Sequence, residues 1–404
     1  MVVEIHKSHA SGQVFAPPSK SYAHRLLIAA ALAKGTSIIR NVELSEDILA
    51  TLNGLKALGA TYMYDDKTIT ISGITNFKEA KKVTIDANES GSTLRFLIPV
   101  SLVVARNITF RGSKTLMSRG ITVYENIFDR QKIEYKKTPE LLNLKGHLTE
   151  DEFIIDGTIS SQFITGLLFS LPLLKKDSKI IIVNGLESKD YVNITIDVLQ
   201  KFGIEVSFDC NQITIKGNQV YHPGNFEVEG DYSNAAFLDA LNYLNGNVII
   251  DGLNKNSIQG DKSYIDYFKA ISVSNVTLDI ANCVDLGPVL MMMAAFFHGA
   301  TLIGTKRLAI KESNRALAMK EELEKMGANI KILENQVIIA KEPLKAPNCL
   351  LNSHNDHRIV MSLAILLTRF GGKIAGSEAV KKSFPTFFAI LEKLGVDLKY
   401  EINK

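Results

Sequence analysis

The 404-residue chain is poor in the features that would mark a specialised class of protein. It has only three cysteines, Cys210, Cys283 and Cys349. That odd number, without CxxC spacing, excludes a disulfide framework and a paired-thiolate zinc knuckle, and it fits the reducing cytoplasm. There is little excess charge. A formal net charge of +3 is too small for generic binding to polyanions, so no nucleic-acid partner is expected and any anion site must be local. No long apolar run goes uninterrupted. Leu286 to Thr305 is uncharged, but Gly287-Pro288, His298-Gly299 and Gly304 break it and Lys306-Arg307 follow at once, so no membrane span or membrane partner is expected. The opening segment, Met1-Val2-Val3-Glu4-Ile5-His6-Lys7, carries acid and base inside its apolar run and does not read as an export signal. Neither GxxxxGK[ST] nor GxGxxG occurs, which argues against ATP or NAD use, and no cofactor or metal is expected.

What the chain does contain is repetition. Hydrophobic residues make up 46% and charged residues 22%, enough to bury sizeable cores, and at roughly 150 residues per domain the length implies two or three domains. One recurring unit is an apolar helix-like run that ends at Gly or Asn and passes into a β-branched strand, as in LLIAAALAKGTSIIRNV, LIPVSLVVARNITFRGS and LMMMAAFFHGATLIGTKRL. A second is an amphipathic helix followed by a hairpin: LKALGATYMYDDKTITISG, LQKFGIEVSFDCNQITIKG, LEKMGANIKILENQVIIAK and a truncated LEKLGVDLKYEINK, with weaker copies near 123–146 and 265–281. Together they define six α+β units, too long for solenoid repeats. Two domains of three units follow, with Tyr221 to Asn225 as the crossover. The pattern leaves open which domain takes the strand Val2 to His6. Helices apolar nearly all round belong inside a domain, and Met291-Met292-Met293 reads as core filling.

Polar residues gather where the apolar helices begin, the position at which free N–H groups and the helix dipole favour an anion. The starts are Ser19-Lys20-Ser21 with Arg25, Asn88 to Arg95, Asp156 to Phe163 with its Ser160-Ser161-Gln162, Lys311-Glu312-Ser313-Asn314-Arg315, Asn355-Asp356-His357-Arg358, and Lys381-Lys382-Ser383. Each taken alone fits a capping residue with solvated neighbours, and Lys311 and Arg315 fit an exposed i,i+4 pair. Six starts with similar chemistry in six repeats point instead to one shared anionic site.

In this order, and over nearly the whole chain, the segments SKSYAHR, SGSTLR, DGTISSQF, ESKDY, KESNR, NDHR and KKSFP resemble the 5-enolpyruvylshikimate-3-phosphate (EPSP) synthase family of enolpyruvyl transferases. The resemblance implies a two-domain inside-out α/β barrel, each domain three βαβαββ units, with the active site in the interdomain cleft. It assigns 16–224 to the shikimate 3-phosphate side, and 1–15 plus 225–404 to the phosphoenolpyruvate side. It also implies a cytoplasmic, monomeric enzyme of the shikimate pathway, leading to chorismate and the aromatic amino acids, and a glyphosate target.

Carried over residue by residue, the resemblance implies that Lys20, Ser21, Arg25, Ser160, Ser161, Gln162, Ser188, Tyr191, Asp285 and Lys311 bind shikimate 3-phosphate. Lys20, Gly91, Arg119, Gln162, Arg315, Arg358 and Lys382 would bind phosphoenolpyruvate, and Asp285, Glu312 and Lys20 would be catalytic. The chain departs from the family's common pattern at Glu89, Phe96, Asp190 and Arg307. Seven cations against Asp285 and Glu312 leave an excess of five positive charges in this set. Two substrates that each carry a phosphate and a carboxylate bring roughly −5 to −6 near pH 7, so the site closes near neutrality without a metal. Three other readings compete. A sibling enzyme acting on a UDP-sugar would carry a reactive Cys in Arg111 to Arg119, and none is present. An RNA 3′-phosphate cyclase would need a basic surface, and a non-catalytic binding module would not need Asp285 and Glu312.

Overall fold

Helices with no polar face have to be enclosed, and these are. In the computed structural model, which describes residues 1–75 and 79–401, the helix Lys20–Leu32 is buried from Tyr22 onward and Gly91–Val104 is buried along nearly its whole length. Met291, Met292 and Met293 are wholly enclosed in the helix Gly287–Phe296. The apparent twenty-residue apolar run resolves into this helix, a turn and the strand Ala300–Ile303. Among the described residues no helix is long and apolar enough to cross a membrane.

The chain divides into two units, each with its own core: Pro18–Glu229, here the first unit, and Met1–Pro17 with Gly230–Lys404, the second. In the first unit the helix–strand and helix–hairpin pieces combine into three sheets of one design. They are Asn225–Glu227, Thr36–Arg40, Thr68–Ser72, Thr61–Asp65; Glu79–Asp86, Ala105–Arg111, Leu141–Lys145, Glu134–Lys137; and Glu152–Asp156, Ser178–Val183, Gln212–Ile215, Val206–Asp209. In each, the first pair is parallel and the other two pairs are antiparallel. In the second and third sheets that order is what a βαβαββ unit produces: the crossover helix sets the parallel pair and a tight hairpin adds the rest. The hairpin turn at Asp66-Lys67 has φ of 37° and 59°, matching a two-residue type I′ connection.

Residues 221–229 correct the expected boundary. Asn225–Glu227 pairs with Thr36–Arg40, and the wholly buried Tyr221 donates its hydroxyl to the Phe169 carbonyl, 2.8 Å away. The tail of the third repeat thus supplies the missing first strand of the first repeat. The chain leaves the unit at 229/230 rather than 224/225, and enters it at 17/18 rather than 15/16.

The second unit shows the same design with one shortened copy. Val276–Asp279, Ala300–Ile303, Gln336–Ala340 and Asn329–Leu333 form a complete four-stranded sheet. In another, Val2–Ile5 lies between Gly372–Ala375 and Leu398–Glu401, with Val3 opposite both Ile374 and Tyr400. The truncated C-terminal hairpin is therefore completed by the other end of the chain, which decides the pairing that periodicity left open. The helix–hairpin copy near 265–281 is corrected. The helix Tyr264–Val273 leads into a single strand, Val276–Asp279, which opens the next sheet, and Ser11–Phe15 pairs only with Asn247–Asp251 among the described residues.

Candidate active site

Small polar residues cap most of the helix starts singled out in the sequence. Ser19, Ser90 and Ser160 each accept a backbone N–H of the helix that follows, as do Asn314 and Asp356, and Ser45 and Asp231 do the same at two starts that the sequence pattern did not mark. Such caps satisfy donors that would otherwise be orphaned and fix where each first turn points. Their side chains then meet across neighbouring helices.

In the first unit Lys20 Nζ donates to Asp47 Oδ2 at 2.7 Å. Arg25 is almost fully buried. Its Nε donates to Thr195 Oγ1 at 2.8 Å, Nη1 to the Ser21 carbonyl at 2.8 Å and Nη2 to the Tyr191 carbonyl at 3.0 Å. Burial pulls its guanidinium down to about 10, which still leaves it charged at neutral pH. Gln162, expected among the ligand contacts, is gripped by protein: Arg95 Nη1 donates to Oε1 at 2.6 Å, and Nε2 donates to Ser92 Oγ at 3.1 Å. Gly157 brings the Ser160 and Ser188 turns together. A Cβ there would lie 2.1 Å from the Gly185 carbonyl oxygen, and the Gly157 carbonyl accepts the Glu187 N–H, so only glycine permits the approach. Ser188 itself sits at φ 54° and starts the helix Lys189–Lys201, with Tyr191 in its first turn. Gly91 opens the helix Gly91–Val104, and the position of its missing Cβ lies 3.2 Å from Arg119 Nη1.

The second unit gathers its charges around Arg315, whose side chain is 1% exposed. Nε donates to Asp356 Oδ2 at 2.8 Å, Nη1 to Asp285 Oδ1 at 2.8 Å and Nη2 to Glu312 Oε2 at 2.6 Å. Asp285 also pairs with Lys311 at 3.1 Å and Arg358 at 3.3 Å. Arg358 Nη2 donates to Ser233 Oγ at 3.0 Å, and Lys382 Nζ donates to the Asn355 carbonyl at 2.6 Å. The helical i,i+4 relation of Lys311 and Arg315 is corrected: Asn314 caps a helix that starts at Arg315, and Lys311 lies before it. The two cations meet because both reach Asp285.

The charge count changes as well. Asp356, wholly buried and already capping His357–Phe370, adds a third carboxylate to the four expected ligand cations of this unit (Lys311, Arg315, Arg358, Lys382), and buried Arg307, whose charge is felt at Lys311, adds a further cation. In the first unit Asp47 offsets Lys20. Neither acid is marked in the sequence as an ion-pair partner, although Asp356 stands in a singled-out helix start. Asp47 looks like a first-turn acid complementing the helix dipole, and Asp356 like a cap, which it also is.

A family model described as EPSP synthase (3-phosphoshikimate 1-carboxyvinyltransferase) matches residues 6–277 and 267–391. The 3-phosphoshikimate 1-carboxyvinyltransferase of Clostridium perfringens is 42% identical over 99% of both chains, and that of Clostridium novyi 41% over 97% of both. This chain belongs to the EPSP synthase family. A solved EPSP synthase from Acinetobacter baumannii superposes with a TM-score of 0.80 over 100% of both chains; at 20% identity it supports the fold alone.

Two of the positions that depart from the usual EPSP synthase pattern have definite roles here. Phe96 is buried in the core with its ring 5.1 Å from the Arg25 guanidinium carbon, so it backs that cation. Arg307 is buried and its Nη2 donates to the Ala281 carbonyl at 2.6 Å, beside the Asp285 turn.

Burial alone would raise the Asp285 carboxyl, but Arg358, Lys311 and Arg315 outweigh it and hold the group well below the usual carboxylate range. Burial pushes the Lys311 ammonium down, to about 8, while Asp285 holds it up. Lys311 should therefore titrate near pH 8, seen by NMR of its labelled side chain in the ligand-free protein. Asp285→Asn removes the anion that supports its charge, so the midpoint should fall further; an unchanged midpoint would mean that the two do not interact.

Proposed function

We propose that this chain, a 3-phosphoshikimate 1-carboxyvinyltransferase by family, transfers the enolpyruvyl group of phosphoenolpyruvate to the 5-hydroxyl of shikimate 3-phosphate, releasing phosphate. The step belongs to the shikimate pathway toward chorismate and the aromatic amino acids. The reading is carried by end-to-end similarity to curated enzymes of that name. The two side-chain clusters supply chemistry suited to it.

An alcohol adds to C2 of an enol only if C3 is protonated while a base takes the hydroxyl proton. Addition forms the O–C2 bond and a tetrahedral ketal; phosphate then leaves as C3 returns its proton, giving the enol ether. Asp285 is ionised at neutral pH and serves as the base toward the 5-hydroxyl. The cations that depress its basicity, Arg358 and Lys311, are also assigned to ligand anions, so substrate binding draws on them and makes Asp285 a better proton acceptor. Glu312 and Lys20 handle the C3 proton and the departing phosphate.

The first-unit residues Ser21, Arg25, Ser160, Ser161, Gln162, Ser188 and Tyr191, with Lys20, Lys311 and Asp285, hold shikimate 3-phosphate. Lys20, Gly91, Arg119, Gln162, Arg315, Arg358 and Lys382 hold phosphoenolpyruvate, whose carboxylate competes for Arg315 with that residue's own three carboxylate partners. Arginine forks suit phosphate and carboxylate groups through paired N–H bonds.

The protein acts in the cytoplasm, a setting suited to its three free thiols, and as a monomer; a dimeric mass by light scattering at assay concentration would overturn the second statement. In a phosphate-release assay with both substrates, Glu312→Gln and Asp285→Asn should each lower kcat by about 10²–10⁴-fold with binding retained. A loss confined to KM would remove them from proton transfer.

Gly91→Ala tests the inhibitor pocket. The added methyl would stand 3.2–3.3 Å from the Arg119 guanidinium, which must yield by a few tenths of an ångström. We expect glyphosate to compete with phosphoenolpyruvate, and the substitution to raise its inhibition constant more than the KM for phosphoenolpyruvate. Equal shifts would show that the methyl acts through Arg119 on both ligands alike.

A further inference from the structure

Glu322 is a carboxylate that no step above uses, and it is 1% exposed. It lies in the last turn of the helix Arg315–Glu324, seven residues from Arg315. Two helical turns separate the pair, roughly 10 Å along one face. Both ends of that face grip one loop. Arg315 holds Asp356. Glu322 Oε2 accepts the Asn352 N–H at 2.9 Å, and Oε1 accepts from His354 Nε2 at 2.8 Å. Between these holds, His354 and Asn355 sit at φ 50° and 54°, a left-handed pair that persists only where its surroundings enforce it. The Asn355 carbonyl is the acceptor for Lys382. Glu321, Glu322 and His354 bring three ligand-type atoms within 4.8 Å of one another, but Lys325 Nζ already sits 2.8 and 2.7 Å from the two Glu322 oxygens. The cluster is therefore a latch for the loop and does not make a cation site.

We propose that Glu322, with His354, is a positioning residue for phosphoenolpyruvate: it clamps the 352–356 loop so that Asn355 sets Lys382 and Asp356 sets Arg315. The inference rests on the assignment of Lys382 to phosphoenolpyruvate. Glu322→Gln in the full chain should raise the KM for phosphoenolpyruvate by about 5–50-fold, with the KM for shikimate 3-phosphate within about twofold of wild type. His354→Ala, at a partly exposed position, should act in the same direction, and His354→Gln, which keeps a donor, should recover most of the loss.

In a Lys382→Met background the Glu322→Gln effect should shrink, because the part that passes through Asn355 and Lys382 is already lost and only the part through Asp356 and Arg315 remains. A lowered Tm with unchanged kinetics would make Glu322 purely structural and overturn the proposal, as would full additivity with Lys382→Met. Should Glu322→Gln fail to fold, His354→Ala and its glutamine rescue separate the same two outcomes: a raised phosphoenolpyruvate KM that His354→Gln restores supports the latch, and an unchanged KM overturns it. If Lys382→Met alone leaves the phosphoenolpyruvate KM unchanged, the ligand assignment fails, and the latch with it.

Discussion

The second unit depends on one buried cation. Taking a guanidinium out of water costs several kcal/mol unless its donors are matched, and removing one member of a buried pair costs about 3–5 kcal/mol because the other is left uncompensated. Arg315 meets that cost with Asp356, Asp285 and Glu312, acids from three separate segments of the chain. Three anions around one cation would repel one another, and Lys311 and Arg358 on Asp285 restore the balance. The turn at 284–286, the segment before the helix Arg315–Glu324 and the 352–356 loop are thus tied together through charge. The depressed Asp285 carboxyl is a consequence of that arrangement, while the Lys311 ammonium is lowered by burial and held up by Asp285.

The first unit solves a similar problem largely with neutral groups. Arg25 is satisfied by two hydroxyls and two carbonyls. Beneath the Lys20–Asp47 pair, His24 Nδ1 lies 2.8 Å from Thr51 Oγ1, which meets Thr93 Oγ1 at 2.7 Å, which in turn donates to Ser90 Oγ at 2.8 Å. Burial, with Lys20 and Arg25 nearby, keeps His24 neutral, so this chain of hydrogen bonds joins three helix starts without adding charge. Neutral donors and helix N–H groups can receive an anion with little rearrangement, whereas the ionic network must exchange partners to do so. That contrast agrees with assigning the two carboxylate proton carriers, Asp285 and Glu312, to the second unit.

Glycine does similar work for the backbone. At Gly157 and Gly91 the missing Cβ is what lets a carbonyl and a guanidinium, respectively, come close. In both places a segment that reads in the sequence as a helix start turns out to be a close approach between segments, and its composition alone would not separate the two meanings.

Local features were legible in the chain. Apolar runs gave the enclosed helices, two-residue breaks gave the hairpins, and Ser, Asp and Asn before those runs gave the caps, because each depends on residues within a few positions of one another. The ordered motifs were enough for the family, and most of the proposed ligand residues do stand at the helix starts that the pattern marks. Tertiary structure decided the rest. Val2–Ile5 completes a hairpin nearly four hundred residues away, Asn225–Glu227 returns to the first sheet, and Asp47 and Asp356 become the partners of Lys20 and Arg315 across 27 and 41 positions. A cap and an ion-pair acid are the same side chain in a one-dimensional pattern. Which it is depends on what another part of the chain brings within about 3 Å, and only the packed cores fix that distance.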